Sequence, residues 1–346
     1  MRNGHLLVAF NESPPRRPFL HPPDEPRTLC LVVRSTDEGS TWGEPRAAPG
    51  FLTTGVECPS ITQLDSGEVL LIQWRFAWFP LETAHKRAGA GEEFVVAGSG
   101  LGEAAPIASE ADWPLAKLPW ARTDAGLCCS ISTDDGYTWD KTVQISTAPF
   151  RRGYSPRPPV QIADGALLLA VASHDARGVL YTLRSTDRGR TWLPPTVVSD
   201  SAVLSEPTVA RVGADRLVLL ARHDASGFLF QQMSTDAGQT WTRARQLPIW
   251  GYPAHLLSLS DGRLMAVYGY RRPPFGIRAC FSQDAGETWD MRHELVIRDD
   301  LRNTNLGYPT AVELSDGRIL VAYYAEDSSG VTHIVGSEIR LNSDTA

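Results

Sequence analysis

The chain has 346 residues, 42% of them hydrophobic and 21% charged, and carries a formal net charge of −7. Its arginines are scattered, which argues against nucleic acid as the main partner, and no apolar run reaches transmembrane length, so no membrane partner is expected. Five cysteines, of which Cys128 and Cys129 are adjacent, do not make a disulfide framework, and Met1–His5 lacks the apolar core of a signal peptide; the expectation is reduced thiols in a cytoplasmic protein, or a secreted one if a leader has been removed.

The elements follow one another in a repeating order. An apolar stretch at Gly4–Phe10 precedes a loop, Asn11–Thr28, and a strand at Leu29–Arg34 runs into the octapeptide Ser35–Trp42, STDEGSTW. A proline then opens two short apolar runs separated by a turn, Pro59-SITQLDSGEVLLIQW. After a long insertion, 76–124, a further strand enters Ser132–Trp139, STDDGYTW. The same sequence of events recurs from Pro156 to Ser185–Trp192, from Pro207 to Ser234–Trp241, and from Pro253 to Ser282–Trp289. A last unit, 308–341, has the paired runs (Pro309-TAVELSDGRILVAYY) and no octapeptide.

The pattern S-x-D-x-G-x-T-W occurs five times, with its aspartates at 37, 134, 187, 236 and 284. Successive aspartates are 97, 53, 49 and 48 residues apart, the first interval being enlarged by the insertion. Asp can accept backbone N–H groups across a turn, Gly supplies positive φ and Trp a large apolar surface, so these aspartates read as structural. Each proline-led pair reads as two antiparallel strands joined by a tight turn, with a third strand entering the octapeptide and a fourth leaving it. Four strands per unit and six units predict an all-β fold, a six-bladed β-propeller of four-stranded antiparallel blades, as one domain over 1–346. The first unit begins at its second strand, so a C-terminal segment such as His333-IVGSEIRL is expected to complete it.

In a propeller the innermost strands line the central channel, and one register position therefore collects side chains at one mouth. The residue before each unit's proline is Cys58, Ser155, Glu206, Tyr252 or Tyr308; the ends of the second strands place Glu12, Arg75, Ser173, Arg222, Tyr270 and Ala325 nearby. Carboxylates, arginines and phenols mixed at positions with no folding need for charge point to a binding or catalytic mouth.

These motifs resemble the sialidase (neuraminidase) superfamily, with Asp-box repeats over nearly the whole chain. The resemblance implies a retaining exo-glycoside hydrolase with a tyrosine nucleophile, a glutamate that activates it, arginines that hold the substrate carboxylate, and an aspartate acid/base. Residue by residue it implies Glu206 and Arg222 from Ser205-EPTVARVGADRLVLLAR, and Tyr308 from Gly307-YPTAVELSDG. The third arginine is sought among Arg271, Arg272 and Arg278. Asp24 is the only aspartate of the Asn11–Thr28 loop, with Glu12 and Glu25 as neighbours that could substitute. The family's R-I-P arginine has no counterpart here, and Tyr324 stands near the place of its carboxylate partner; Arg75 and Arg157 could supply the charge. Tyr252 joins the expected substrate-binding set, and the expected partner is an anionic carbohydrate.

The insertion, with Trp78, Phe79, Trp113 and Trp120, should project over the mouth as a lid or an interface. No Cys/His/Asp set has metal-ligand spacing, so neither metal nor cofactor is expected. A carbohydrate-binding propeller without catalysis, or a lyase acting on a uronic acid, would fit the same scaffold.

Overall fold

The computed structural model describes residues 1–14, 25, 28–49, 56–96, 120–140, 142–174 and 178–341. The proline-led apolar pairs form hairpins as their turn residues dictate. Leu64, Ile162, Val212, Leu259 and Leu314 each donate a backbone N–H to the carbonyl four residues on, at 2.7–2.9 Å. Beyond each turn the second strand is an uninterrupted apolar run, and Leu70–Ile72, Leu167–Val171, Leu217–Ala221 and Leu264–Tyr268 are fully buried between neighbouring sheets.

Six antiparallel sheets result. Blades four (Ser205–Arg211, Leu217–Arg222, Phe228–Ser234, Arg245–Trp250) and five (Ala254–Ser258, Leu264–Tyr270, Phe275–Ser282, Asp290–Leu301) have four strands each. Blade three has a broken inner strand, Gly153–Tyr154 and Val160–Gln161, both pieces pairing with Leu167–Ser173. In blade two, Val69–Pro80 and Trp120–Ser132 pair along their whole length into the insertion, which also contains the short helix Leu81–Ala88. Blade one holds Leu6–Glu12, Leu29–Ser35 and Arg46–Ala47, and starts at its second strand as the sequence indicates.

The closure differs from the expectation. Thr332–Arg340 pairs residue for residue with Arg318–Glu326 and is the third strand of blade six, not a strand of blade one. A tight turn at Asp327–Gly330 brings these strands together locally, whereas pairing with blade one would have to close a loop around the whole ring.

The ring is joined by the octapeptides instead. Asp134 shows their geometry. Its carboxylate accepts from Ser132 Oγ (2.8 Å), Thr138 N (2.8 Å) and Thr138 Oγ1 (2.6 Å). The turn then presents a glycine with left-handed φ to the preceding blade. A Cβ on Gly136, Gly189, Gly238 or Gly286 would lie 2.7–3.2 Å from Leu7, Leu70, Leu168 or Val218, all second-strand residues. Gly39 meets Leu320 of blade six in the same way, and Arg318 forms an ion pair with Glu38 at 2.6 Å across that joint. The octapeptide is thus both a turn and the wedge between blades.

Candidate active site

Three inner strands bend at equivalent places. In blades two, four and six the pairing register shifts between Glu57 and Ser60, Ser205 and Thr208, and Gly307 and Thr310. At each bulge the residue before proline adopts left-handed backbone: Cys58 (φ 51°), Glu206 (φ 50°) and Tyr308 (φ 49°). A non-glycine residue there costs on the order of 1 kcal/mol, and bulges of this kind re-aim a side chain. All three residues line one cavity of about 2320 Å³ that runs along the channel.

The Tyr308 hydroxyl donates to Glu206 Oε1 in a very short hydrogen bond. Arg222, at the end of the second strand of blade four, donates from one guanidinium nitrogen to Glu206 Oε2 at 3.0 Å and pairs through Nε with Asp224 at 2.5 Å. Burial, followed by the Glu206 charge and then Cys58 and Glu57, pushes the Tyr308 phenol well above its ordinary range. The phenol is therefore protonated at rest, and Glu206 is the carboxylate placed to accept its proton.

A second guanidinium completes the arrangement. Arg271 donates from Nε to the Leu306 carbonyl (3.0 Å) and from another guanidinium nitrogen to Tyr324 Oη (2.8 Å). It passes close over Gly307, where a Cβ would stand 3.1 Å from the guanidinium. The Tyr252 ring lies 4.1 Å from the Arg222 guanidinium carbon and 5.4 Å from that of Arg271, a cation–π support for both.

On the blade-two side the wall is aromatic and acidic. Trp74 stacks on Tyr154 (5.2 Å) and donates through Nε1 to Asp124 at 2.9 Å. Burial raises the Asp124 carboxyl. His174 completes this wall, and Glu93 of the insertion pairs with Arg152 at 2.7 Å on the cavity's rim.

The structure thus brings together Tyr308, Glu206 and Arg222. The other expectations fare differently. Of the three alternatives for the third arginine, Arg271 is the one that lines the cavity, beside Tyr324. Arg272 is exposed over the Trp250 ring at 3.6 Å, and Arg278 is paired with Glu294 at 2.6 Å in the body of blade five. Arg278 follows an inward-outward alternation that keeps it within its sheet, whereas Arg271 leaves the strand end toward blade six. Arg75 is buried and held by Gln73 and the Pro49 carbonyl, off the cavity. Tyr252 stands behind the guanidinium pair and does not line the cavity. Arg157 lines it. Asp24 and Trp113 lie outside the described residues; Glu25 is buried and Glu12 is exposed at the cavity's edge.

Asp124, Trp74 and Tyr154 escaped sequence reasoning. Asp124 carries no motif, and only its place where the insertion rejoins the blade marked it. Among the described residues no three His, Cys, Asp or Glu side chains gather as metal ligands would, and no helix is long and apolar enough to cross a membrane.

The family model described as a BNR repeat-like domain matches residues 117–321. Among solved structures, a protein of unknown function from Dyadobacter fermentans is 25% identical, covering 99% of this chain and 92% of its own, with a TM-score of 0.81. The intramolecular trans-sialidase from Ruminococcus gnavus superposes with a TM-score of 0.70 at 16% identity, over 99% of this chain and 93% of its own. The NanB sialidase from Streptococcus pneumoniae gives 0.69 at 15%, over 98% and 67%. No curated protein matches.

Proposed function

Since the chain belongs to the BNR repeat-like family and has a sialidase-like six-bladed propeller, we propose that it is a retaining exo-glycoside hydrolase acting on an acidic sugar, sialic acid or a related one. The observation that supports this reading is the Tyr308–Glu206 hydrogen bond flanked by Arg222 and Arg271 in one cavity. Arg222 and Arg271 bind the sugar carboxylate, for which the guanidinium fork is suited. Tyr308 Oη attacks the anomeric carbon as its proton passes to Glu206 Oε1, and the bond to the aglycone breaks. Water then attacks from the face the aglycone left, opposite the tyrosine, whose oxygen takes its proton back from Glu206; the two inversions give net retention. A neutral phenol in place of a carboxylate nucleophile avoids repulsion by the anionic substrate. Asp24 is the proposed proton donor to the aglycone.

A panel of aryl glycosides of sialic, other nonulosonic and uronic acids tests this. Release of the aryl group from one acidic sugar, with retained configuration in the first-formed product, is the expected result. No release from any of them would overturn the reading, and an unsaturated product absorbing in the ultraviolet would replace hydrolysis with elimination.

A further inference from the structure

Arg157 is a buried cation of this cavity that the carboxylate clamp does not use. It leaves blade three between the two pieces of the inner strand, where Ser155 Oγ donates to its carbonyl at 2.8 Å. The residue is only 6% exposed. Its Nε donates to the Ala254 carbonyl of blade five at 3.0 Å, so the side chain links two blades that are not neighbours in the ring. Its Nη2 is buried without a hydrogen-bond partner, although the residue lines the cavity.

A buried cation with an unused donor is costly unless an anion nearby answers it. The ionisable groups acting on this one are Glu206, Tyr308 and Cys58. Burial lowers the guanidinium to about 10, so it stays charged at neutral pH.

The neighbouring cations are placed for the sugar carboxylate and have protein partners besides. Arg222 serves Glu206 and Asp224, and Arg271 serves Tyr324 and the Leu306 carbonyl. In the proposed first step the proton leaves Tyr308 Oη and arrives on Glu206 Oε1, so negative charge passes from carboxylate to phenolate. A fixed cation near the place where that charge appears stabilises it without reorganising. Resting on the hydrolase reading, we infer that Arg157 is a positioning residue that answers the charge developing on the Tyr308 oxygen. It is not a third member of the carboxylate clamp.

The charged and titratable groups around the Tyr308–Glu206 pair are Arg222 and Asp224 from blade four, Tyr324 from blade six, Tyr154 and Arg157 from blade three, and Cys58 with Glu57 from blade two. His255 of blade five also faces Arg157, and desolvation lowers it to about 3, leaving it neutral. Arg157 is therefore a cation whose removal acts on the pair without opening the clamp.

The experiment compares pH profiles of the wild type, Arg157→Gln, Arg157→Met and Arg157→Lys on the aryl glycoside the wild type cleaves. Arg157→Gln keeps an N–H for the Ala254 carbonyl, and Arg157→Met serves if that variant does not fold. The neutral variants should lower kcat by about 10–100-fold with KM within about threefold. The acidic limb of kcat/KM should move up by about one pH unit, because the Tyr308–Glu206 pair loses a buried cation that favours its charged form. Arg157→Lys should restore most of both. A raised KM with unchanged kcat would place Arg157 in the clamp and overturn the inference. A lower melting temperature with an unmoved limb and unchanged kcat would overturn it as well. Wild-type protein that cleaves no acidic glycoside overturns the hydrolase reading and this role together, whereas wild-type turnover indifferent to Arg157 overturns this role alone.

Discussion

The Tyr308 hydroxyl meets the Glu206 carboxylate from a strand 102 residues away in sequence and two blades round the ring. Each sits on a bulge before a proline with the same left-handed backbone. The bulge turns both side chains off the inner-strand alternation and into the channel, where the propeller's rotation makes them neighbours. The third bulge of this kind holds Cys58, whose thiol burial raises well above its ordinary range. That neutral group leaves space beside the pair without adding a competing charge.

Tyr308→Phe should lower kcat by about 10³-fold or more, since it removes the proposed nucleophile and nothing in the aromatic packing. The same change leaves Glu206 Oε1 without its donor, so a stability loss of about 1–3 kcal/mol accompanies it. Binding of an unreacted acidic sugar should survive, because Arg222 and Arg271 are untouched. Kinetics on an aryl glycoside and calorimetry measure the two effects separately; full turnover by the variant would exclude Tyr308 as nucleophile.

Arg271 is separated from its sequence neighbours by its role. Arg271→Met should raise KM for the acidic sugar by about 10–100-fold, the range of one lost charge-assisted contact. Arg272→Met and Arg278→Met should leave KM within about twofold, because neither side chain reaches the cavity. Gly307→Ala tests the same geometry from the other side: its methyl group would press on the Arg271 guanidinium at a backbone angle of φ +132° and should also raise KM. An unchanged KM in Arg271→Met, with a rise in Arg278→Met, would move the clamp to blade five's body.

The blade plan was legible because a turn, a strand and a wedge are all local, and five octapeptides repeat them. Aligning the prolines also collected Glu206 and Tyr308, since register alone fixes which end of an inner strand faces the mouth. Arg271 could not be told from Arg278 because the choice depends on which side of blade five faces blade six. Arg75 misled for a related reason: in blade two a bulge at Arg75 and Phe76 changes the direction of the strand end, and Gln73 holds the guanidinium inside. Asp124 was invisible because its surroundings, Trp74, Gly126 and Tyr154, come together only after folding.

The octapeptide aspartates should govern the acid limit of stability. Hydrogen bonds from Thr and Ser hold Asp37, Asp134 and Asp236 at about 2, below the ordinary 3.8. A carboxylate with a depressed folded-state value stabilises above its unfolded value and loses that contribution as pH falls from about 4 toward 2. Asp134→Asn should therefore lower the melting temperature by about 2–4 °C at pH 7, with the gap to wild type closing as pH approaches 2.5. Differential scanning calorimetry across that range measures it; a gap independent of pH would mean that shape, not charge, is what the turn requires.

Ring closure provides the last test. Blade one meets blade six through the Gly39 wedge on Leu320 and through Arg318, which pairs with Glu38, Asp316 and Glu338. No strand is exchanged across this joint among the described residues, so its stability rests on side chains. Arg318→Met removes all three ion pairs, and Glu38→Gln removes the one that crosses between blades. Because these groups meet solvent, the Glu38→Gln change should lower the global melting temperature only slightly. Its local effect should be larger: amide exchange in Leu6–Glu12 and Thr332–Arg340 should quicken by about tenfold while that in Leu217–Arg222 stays unchanged. The latter strand lies on the far side of the ring and packs between complete blades, so it opens only when the whole domain unfolds. Equal acceleration in all three strands would mean that the joint melts with the domain and that the octapeptide wedge alone closes the ring.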